Sequence, residues 1–102
     1  MDNREAVRVP VRVRAQCRAE DIVIDGTVED ISRSGVFFRG RSAMAEGSST
    51  EIQLDLPGEP TVQLMAMVVR VDHSGMGLRF VGDAERSRRP LANFIMRCHA
   101  TH

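Results

Sequence analysis

The chain has 102 residues, 42% of them hydrophobic, enough for one domain with one core. Fourteen acidic residues balance fourteen basic ones, so bulk charge points to neither nucleic acid nor an anionic membrane as a partner. Every basic residue is an arginine, a planar fork suited to phosphate, carboxylate or guanine edges.

Residues 1–7 carry no strand or helix period, which predicts a segment that is mobile when nothing is bound. From Val9 the pattern alternates strictly. Val9, Val11, Val13, Ala15 and Cys17 share one parity and Arg8, Arg12, Arg14 and Arg18 the other, a half-buried first strand with arginine outward. Pro10, on the outer parity, suits a strand start or an edge. A second strand is predicted over 22–29 with Ile24 and Val28 in the core, Gly26 marking a bulge. A polar corner over 30–35 leads to a third strand at 36–39, and 40–50 reads as loop. Residues 51–56 alternate as a fourth strand, and Pro57-Gly58-Glu59-Pro60 is a turn. In the fifth strand, 61–72, the parity switches. Val62 and Leu64 agree, whereas Val69 and Val71 take the opposite phase with Arg70 and Asp72 outward, so a bulge is expected between Met65 and Val68. His73-Ser74-Gly75 closes a hairpin onto a last strand with Met76, Leu78 and Phe80 inward. Six strands with tight turns predict a closed antiparallel barrel, which leaves no exposed edge. A helix over 83–99 follows, capped by Asp83 and presenting Leu91, Phe94, Ile95 and Cys98 on one stripe. Pro90 disfavours helical geometry at Arg89, which predicts a short first turn and then a break.

Few residues suggest catalysis. Cys17 and Cys98 stand alone with no metal-like spacing and read as small hydrophobes; His73, His99 and His102 are not spaced as ligands. No phosphate-cradling glycine loop is present, so an enzyme is not expected, nor a cofactor or metal. The N-terminus lacks an apolar signal region, and no apolar run reaches the roughly 20 residues that span a bilayer. A soluble cytoplasmic protein is expected.

The chemistry gathers at Asp30-Ile31-Ser32-Arg33-Ser34-Gly35, an acid, a hydroxyl and a glycine at the spacing Asp-x-Ser-x-x-Gly. A carboxylate accepts paired N–H donors, a hydroxyl donates or accepts, and glycine lets backbone approach a ligand. Asp and Ser equally serve to cap turns through their own backbone. Upstream, Arg4-Glu5-Ala6-Val7-Arg8 sets two guanidiniums four residues apart. Together these resemble the Arg-x-x-x-Arg and Asp-x-Ser-x-x-Gly motifs of the PilZ domain, a bacterial receptor module for cyclic di-GMP. The likeness extends to Arg8-Val9-Pro10-Val11, to Met76-Gly77-Leu78-Arg79-Phe80 and to the C-terminal helix, nearly the whole chain.

The resemblance implies a single domain over 1–102: a ligand-clamping segment at 1–8, a six-stranded barrel at 9–82 and the helix at 83–99. It implies that Arg4 and Arg8 clamp the phosphates and guanines of cyclic di-GMP. Asp30 and Ser32 would hydrogen-bond a guanine or the phosphate ring, and Gly35 would keep the turn open. In an extended strand Arg4 and Arg8 would lie roughly 13 Å apart, so the segment must bend to converge on one nucleotide. Many family members carry a further arginine where this chain has Asn3, a departure that bears on whether one or two ligand molecules stack. The implied role is second-messenger signalling of the kind that regulates motility or biofilm, exerted through an effector protein. The alternative is a PilZ-like adaptor that works by protein contacts and does not bind the nucleotide. A nucleic-acid-binding barrel is disfavoured by zero net charge and the absence of Trp and Tyr.

Overall fold

The structure is a computed structural model that describes residues 8–82 and 85–100. Six strands, β1 (Val9–Ala19), β2 (Ile22–Ile31), β3 (Gly35–Gly40), β4 (Ser49–Leu54), β5 (Val62–Asp72) and β6 (Gly75–Val81), precede one helix, α1 (Glu85–Ala100). Every pairing is antiparallel, and the strands close in the order β1-β2-β3-β6-β5-β4. Closure pairs β4 with β1 through Ala15–Leu54 to Arg18–Glu51, so no described strand is left as an edge.

The alternation of β1 follows the sequence. Val9, Val13, Ala15 and Cys17 are buried while Arg8, Arg12, Arg14 and Arg18 are exposed. Around them Ile24, Val28, Ile31, Val36, Phe38, Ile52, Leu54, Val62, Leu64, Ala66, Val68, Met76 and Leu78 fill the interior. Burial pushes the Cys17 thiol up to about 12, against a lowering hydrogen bond with Thr50. Met44, in the 41–48 connection, also enters the core, and its N–H donates to Met76 Sδ at 3.5 Å. A loop without period carries no signal for such a residue.

Three expectations are corrected. Gly26 sits in regular register, between Ala15 on β1 and Gly40 on β3. It is glycine because a Cβ there would lie 2.3 Å from the Arg39 carbonyl oxygen and 2.6 Å from the Phe38 ring. The slip between β2 and β3 falls instead between Val28 and Asp30. In β5 the inward phase runs unbroken through Val62, Leu64, Ala66 and Val68, and the slip lies against β6 between Val68 and Arg70. Val69 and Val71 are both exposed, at 48% and 37%.

Third, α1 is continuous through Pro90. The ring forfeits one hydrogen bond, to the carbonyl of Arg86, an exposed residue where water can take its place. Beyond it Leu91, Phe94 and Ile95 are buried, and that docking outweighs the local preference at Arg89. The helix is tied at both ends. Ser87 Oγ donates to the Gln63 carbonyl at 2.8 Å, and Arg97 donates to Glu59 Oε2 at 2.9 Å and to the Pro57 carbonyl at 3.0 Å. Asp83, the expected cap, and Arg4, with all of residues 1–7, lie outside the described residues.

Candidate functional site

The slip at the end of β2 positions the site. Val28 pairs with Phe38 and Asp30 with Phe37, so Glu29 is an extra residue on β2. Val28 and Ile31 are both fully buried although three residues apart, an odd spacing that a regular strand cannot place on one face. The bulge thus keeps the core apolar and turns Asp30 outward. On the other side Pro10 pairs with Asp30, which brings the start of β1 alongside. Arg8 Nη1 there donates to Asp30 Oδ1 in an ion pair spanning 22 positions of sequence. The two groups are 58% and 32% exposed, so a ligand can reach both. The fold thus brings together two of the site residues read from the sequence, one from each motif.

Ser32 has a different setting. It is 1% exposed, and its Oγ accepts the N–H groups of Ser34 and Gly35, both at 3.1 Å. It also lies 3.3 Å from the Gly35 carbonyl, to which it donates, and 3.2 Å from Ser34 Oγ. The Ser32 N–H closes the corner onto the same carbonyl at 2.9 Å. The hydroxyl is fully engaged in shaping the corner, the turn-capping role that the sequence left open. Gly35 is buried and pairs with Arg79 on β6. A Cβ on it would lie 2.1 Å from the Leu78 carbonyl oxygen. Glycine is required here so that β3 can approach β6.

Beside the Arg8–Asp30 pair lies a depression of about 270 Å³ on the outer face of β3, β5 and β6. Phe37, Val69 and Gly77 line its apolar part and Arg8 and Arg70 its charged part. Arg70 stands 5.6 Å from the centroid of the Phe37 ring, a cation–π arrangement that covers the ring from outside the barrel. Phe37 and Arg70 carry no motif in the sequence. The adjacent pair Phe37-Phe38 was the available signal, since alternation forces one of two neighbouring aromatics out of the core. Phe37 is 9% exposed beneath Arg70, so a purine reaches its ring only by displacing that guanidinium; the guanidiniums and the carboxylate around it can hold an acidic phosphodiester and a donor-rich base edge together. A larger depression, about 570 Å³, lies among Arg14, Gln16, Asp25, Thr27, Gln53 and Asp55 and contains none of the motif residues. Among the described residues no three of His, Cys, Asp or Glu gather as a metal site, and no helix is long and apolar enough to cross a membrane.

Comparison with known proteins follows the same line. The family model described as PilZ domain matches residues 2–97. No curated protein matches. Among solved structures, the Bacillus subtilis inhibitor of motility MotI/DgrA aligns with a TM-score of 0.79 and 20% identity over 93% of this chain. This chain spans 50% of that protein's length. The PilZ domain of CeSA from a cellulose-synthesizing bacterium aligns at 0.73 and 17% identity, covering 94% of this chain and 99% of that one. The PilZ domain of Escherichia coli YcgR, solved with c-di-GMP, aligns at 0.75 and 14% identity over 93% of this chain and 90% of that one. Identities this low speak to the fold.

Proposed function

This chain belongs to the PilZ domain family, and from that premise we propose that it is a non-enzymatic receptor for cyclic di-GMP. On binding, it orders its N-terminal arginine segment over the nucleotide and acts through an effector protein. The observation that carries the reading is the meeting of Arg8 and Asp30, one residue from each motif, beside the Phe37–Gly77 floor.

The mechanism is an exchange of partners. In the free protein Arg8 and Asp30 satisfy each other. A half-exposed pair of this kind is worth about 0–1 kcal/mol, so opening it costs little. Cyclic di-GMP offers each group a better-matched partner: phosphate oxygens and guanine O6 and N7 for Arg8, guanine N1 and N2 hydrogens for Asp30. Arg4 is assigned the second phosphate clamp. Ser32 and Gly35 serve the site through the corner they shape, one by its hydrogen bonds and the other by the close approach to β6. An effector contact is supported by the exposed apolar row Met65, Met67 and Val69 on β5, which runs into the same depression at Val69. Control of motility or biofilm in the bacterial cytoplasm is the setting this reading implies.

The test is calorimetric titration with cyclic di-GMP at fixed salt, with hydrogen exchange followed in parallel. Saturable micromolar or tighter binding with new protection of the amides of residues 1–7 is expected. Binding without that protection overturns the clamp and leaves the receptor; no binding at all leaves the nucleotide-independent adaptor.

A further inference from the structure

The Asp30–Gly35 corner has a second side, facing α1, and three arginines from different elements converge there. Arg33 comes from the corner itself, Arg79 from β6 and Arg88 from α1. With Ser34 and Phe80 they line a depression of about 410 Å³ that has no acidic residue among its described lining. In a chain with as many acids as bases, three like charges brought to one cavity oppose folding electrostatically. Such local conflict marks a site kept for something other than stability.

The geometry is prepared for a ligand. Arg88 Nη1 donates to the Arg33 carbonyl at 3.2 Å and Nη2 to the Gly82 carbonyl at 3.1 Å, which fixes the guanidinium while leaving its other N–H groups available. Arg33 and Arg79 make no side-chain hydrogen bond or ion pair with a described residue, and both are exposed. Ser34 is exposed too, and its backbone is held by Ser32 Oγ at 3.1 Å and by the Phe80 N–H, which donates to the Ser34 carbonyl at 2.8 Å. Three forks and a hydroxyl on rigid elements match the tetrahedral, multiply charged oxygens of a phosphoryl group better than a single carboxylate.

We propose that Arg33, Arg79 and Arg88, with the Ser34 hydroxyl, form a phosphoryl-oxyanion site on the helix side of the corner, separate from the Arg8–Asp30 pair. An occupant there bridges the corner and α1, through Arg88 and its bond to the Arg33 carbonyl, so occupancy of the site is felt by the helix. The site stands on its own residues and does not depend on cyclic di-GMP being the ligand of the other side.

The test is a titration of the whole protein with inorganic phosphate, replacing chloride at constant ionic strength, read by ¹H–¹⁵N NMR. Saturating shifts are expected at Ser34, Arg79 and Gly82 amides and at Arg88 Nε. Arg33→Gln and Arg79→Gln should each weaken binding about tenfold, the loss of one charge-assisted contact. Arg89→Gln, next to Arg88 but lining a different depression, should leave it unchanged. Shifts that never saturate, or that respond equally to all three variants, overturn the site. Adding cyclic di-GMP to the phosphate-saturated protein separates the sources. Displacement of phosphate means that the nucleotide's own phosphodiester fills the site, and co-binding means a distinct phosphoryl ligand; either outcome sustains the oxyanion site. Failure of the nucleotide to bind at all would retire the receptor reading and leave the phosphate titration intact.

Discussion

Replacing Gly35 by alanine adds one methyl group at the closest approach in the site. The added Cβ would lie 2.1 Å from the Leu78 carbonyl oxygen and 3.2 Å from its carbonyl carbon. Carbon–oxygen contacts between strands normally sit near about 3.3 Å, so β3 and β6 must part by roughly 1 Å. Gly35 is not among the residues with positive φ, so the cost is one of packing, not of backbone conformation. Neither contact atom is the end of a flexible side chain that could swing away; both are backbone of a paired strand. Overpacking of this kind costs about 1–3 kcal/mol. The nearby Phe80 N–H to Ser34 carbonyl bond, at 2.8 Å, is stretched as well, for about 1 kcal/mol more. A total of about 2–4 kcal/mol corresponds to a drop in Tm of about 10–20 °C for a domain this size. The measurement is thermal unfolding of ligand-free wild type and Gly35→Ala by circular dichroism. A Tm unchanged within about 2 °C, with ligand affinity lost, would show that the glycine serves the ligand and would refute the close β3–β6 approach as its cause.

Arg8→Ala should leave Tm within about 5 °C of wild type, because its side chain is held among the described residues by a half-exposed ion pair. Cyclic di-GMP affinity should fall about 10–100-fold in calorimetry, and an unchanged affinity removes Arg8 from the site. Asp30→Ala should lower the preference for cyclic di-GMP over cyclic di-AMP, measured as two affinities on each protein at one salt concentration. Adenine lacks the N1 and N2 donor pair that leaves a carboxylate satisfied; a mutant that keeps the full preference assigns Asp30 to the corner alone. For Cys17, burial raises the thiol pKa above its unfolded value of 9.0 to about 12, so the folded state retains a proton that the unfolded state has lost. Stability from this group is complete below pH 9 and is lost as pH rises toward 12. Denaturant unfolding over that range should show a slope that Cys17→Ala reduces, and an identical slope in the variant would refute the assignment.

Strand identity and the polarity of each strand face are legible in the chain itself. In β1 the valines, alanine and cysteine of one parity and the arginines of the other could only face core and solvent, since side chains of a strand alternate. The closing strand follows from the same alternation, and the stripe Leu91, Phe94 and Ile95 on α1 from helical spacing; the inward residues of both are buried. The two motifs are visible as spacings. What a spacing cannot contain is register. The extra residue at Glu29 is a property of how β2 meets β3, and it alone decides that Asp30 points outward beside Arg8. The same holds in β5, where the slip against β6 falls one step later than the parity suggested, and Val69 and Val71 are exposed. Ser32 and Gly35 are visible as a spacing; only in three dimensions does the Ser32 hydroxyl meet the corner's own N–H groups and Gly35 come so close to β6 that a Cβ would meet the Leu78 carbonyl oxygen. The Phe37–Arg70 floor and the meeting of Arg33, Arg79 and Arg88 join residues as much as 55 positions apart. Local pattern records which way each side chain must face. Only barrel closure, which matches six strands to one another at once, decides which distant side chains meet on the surface.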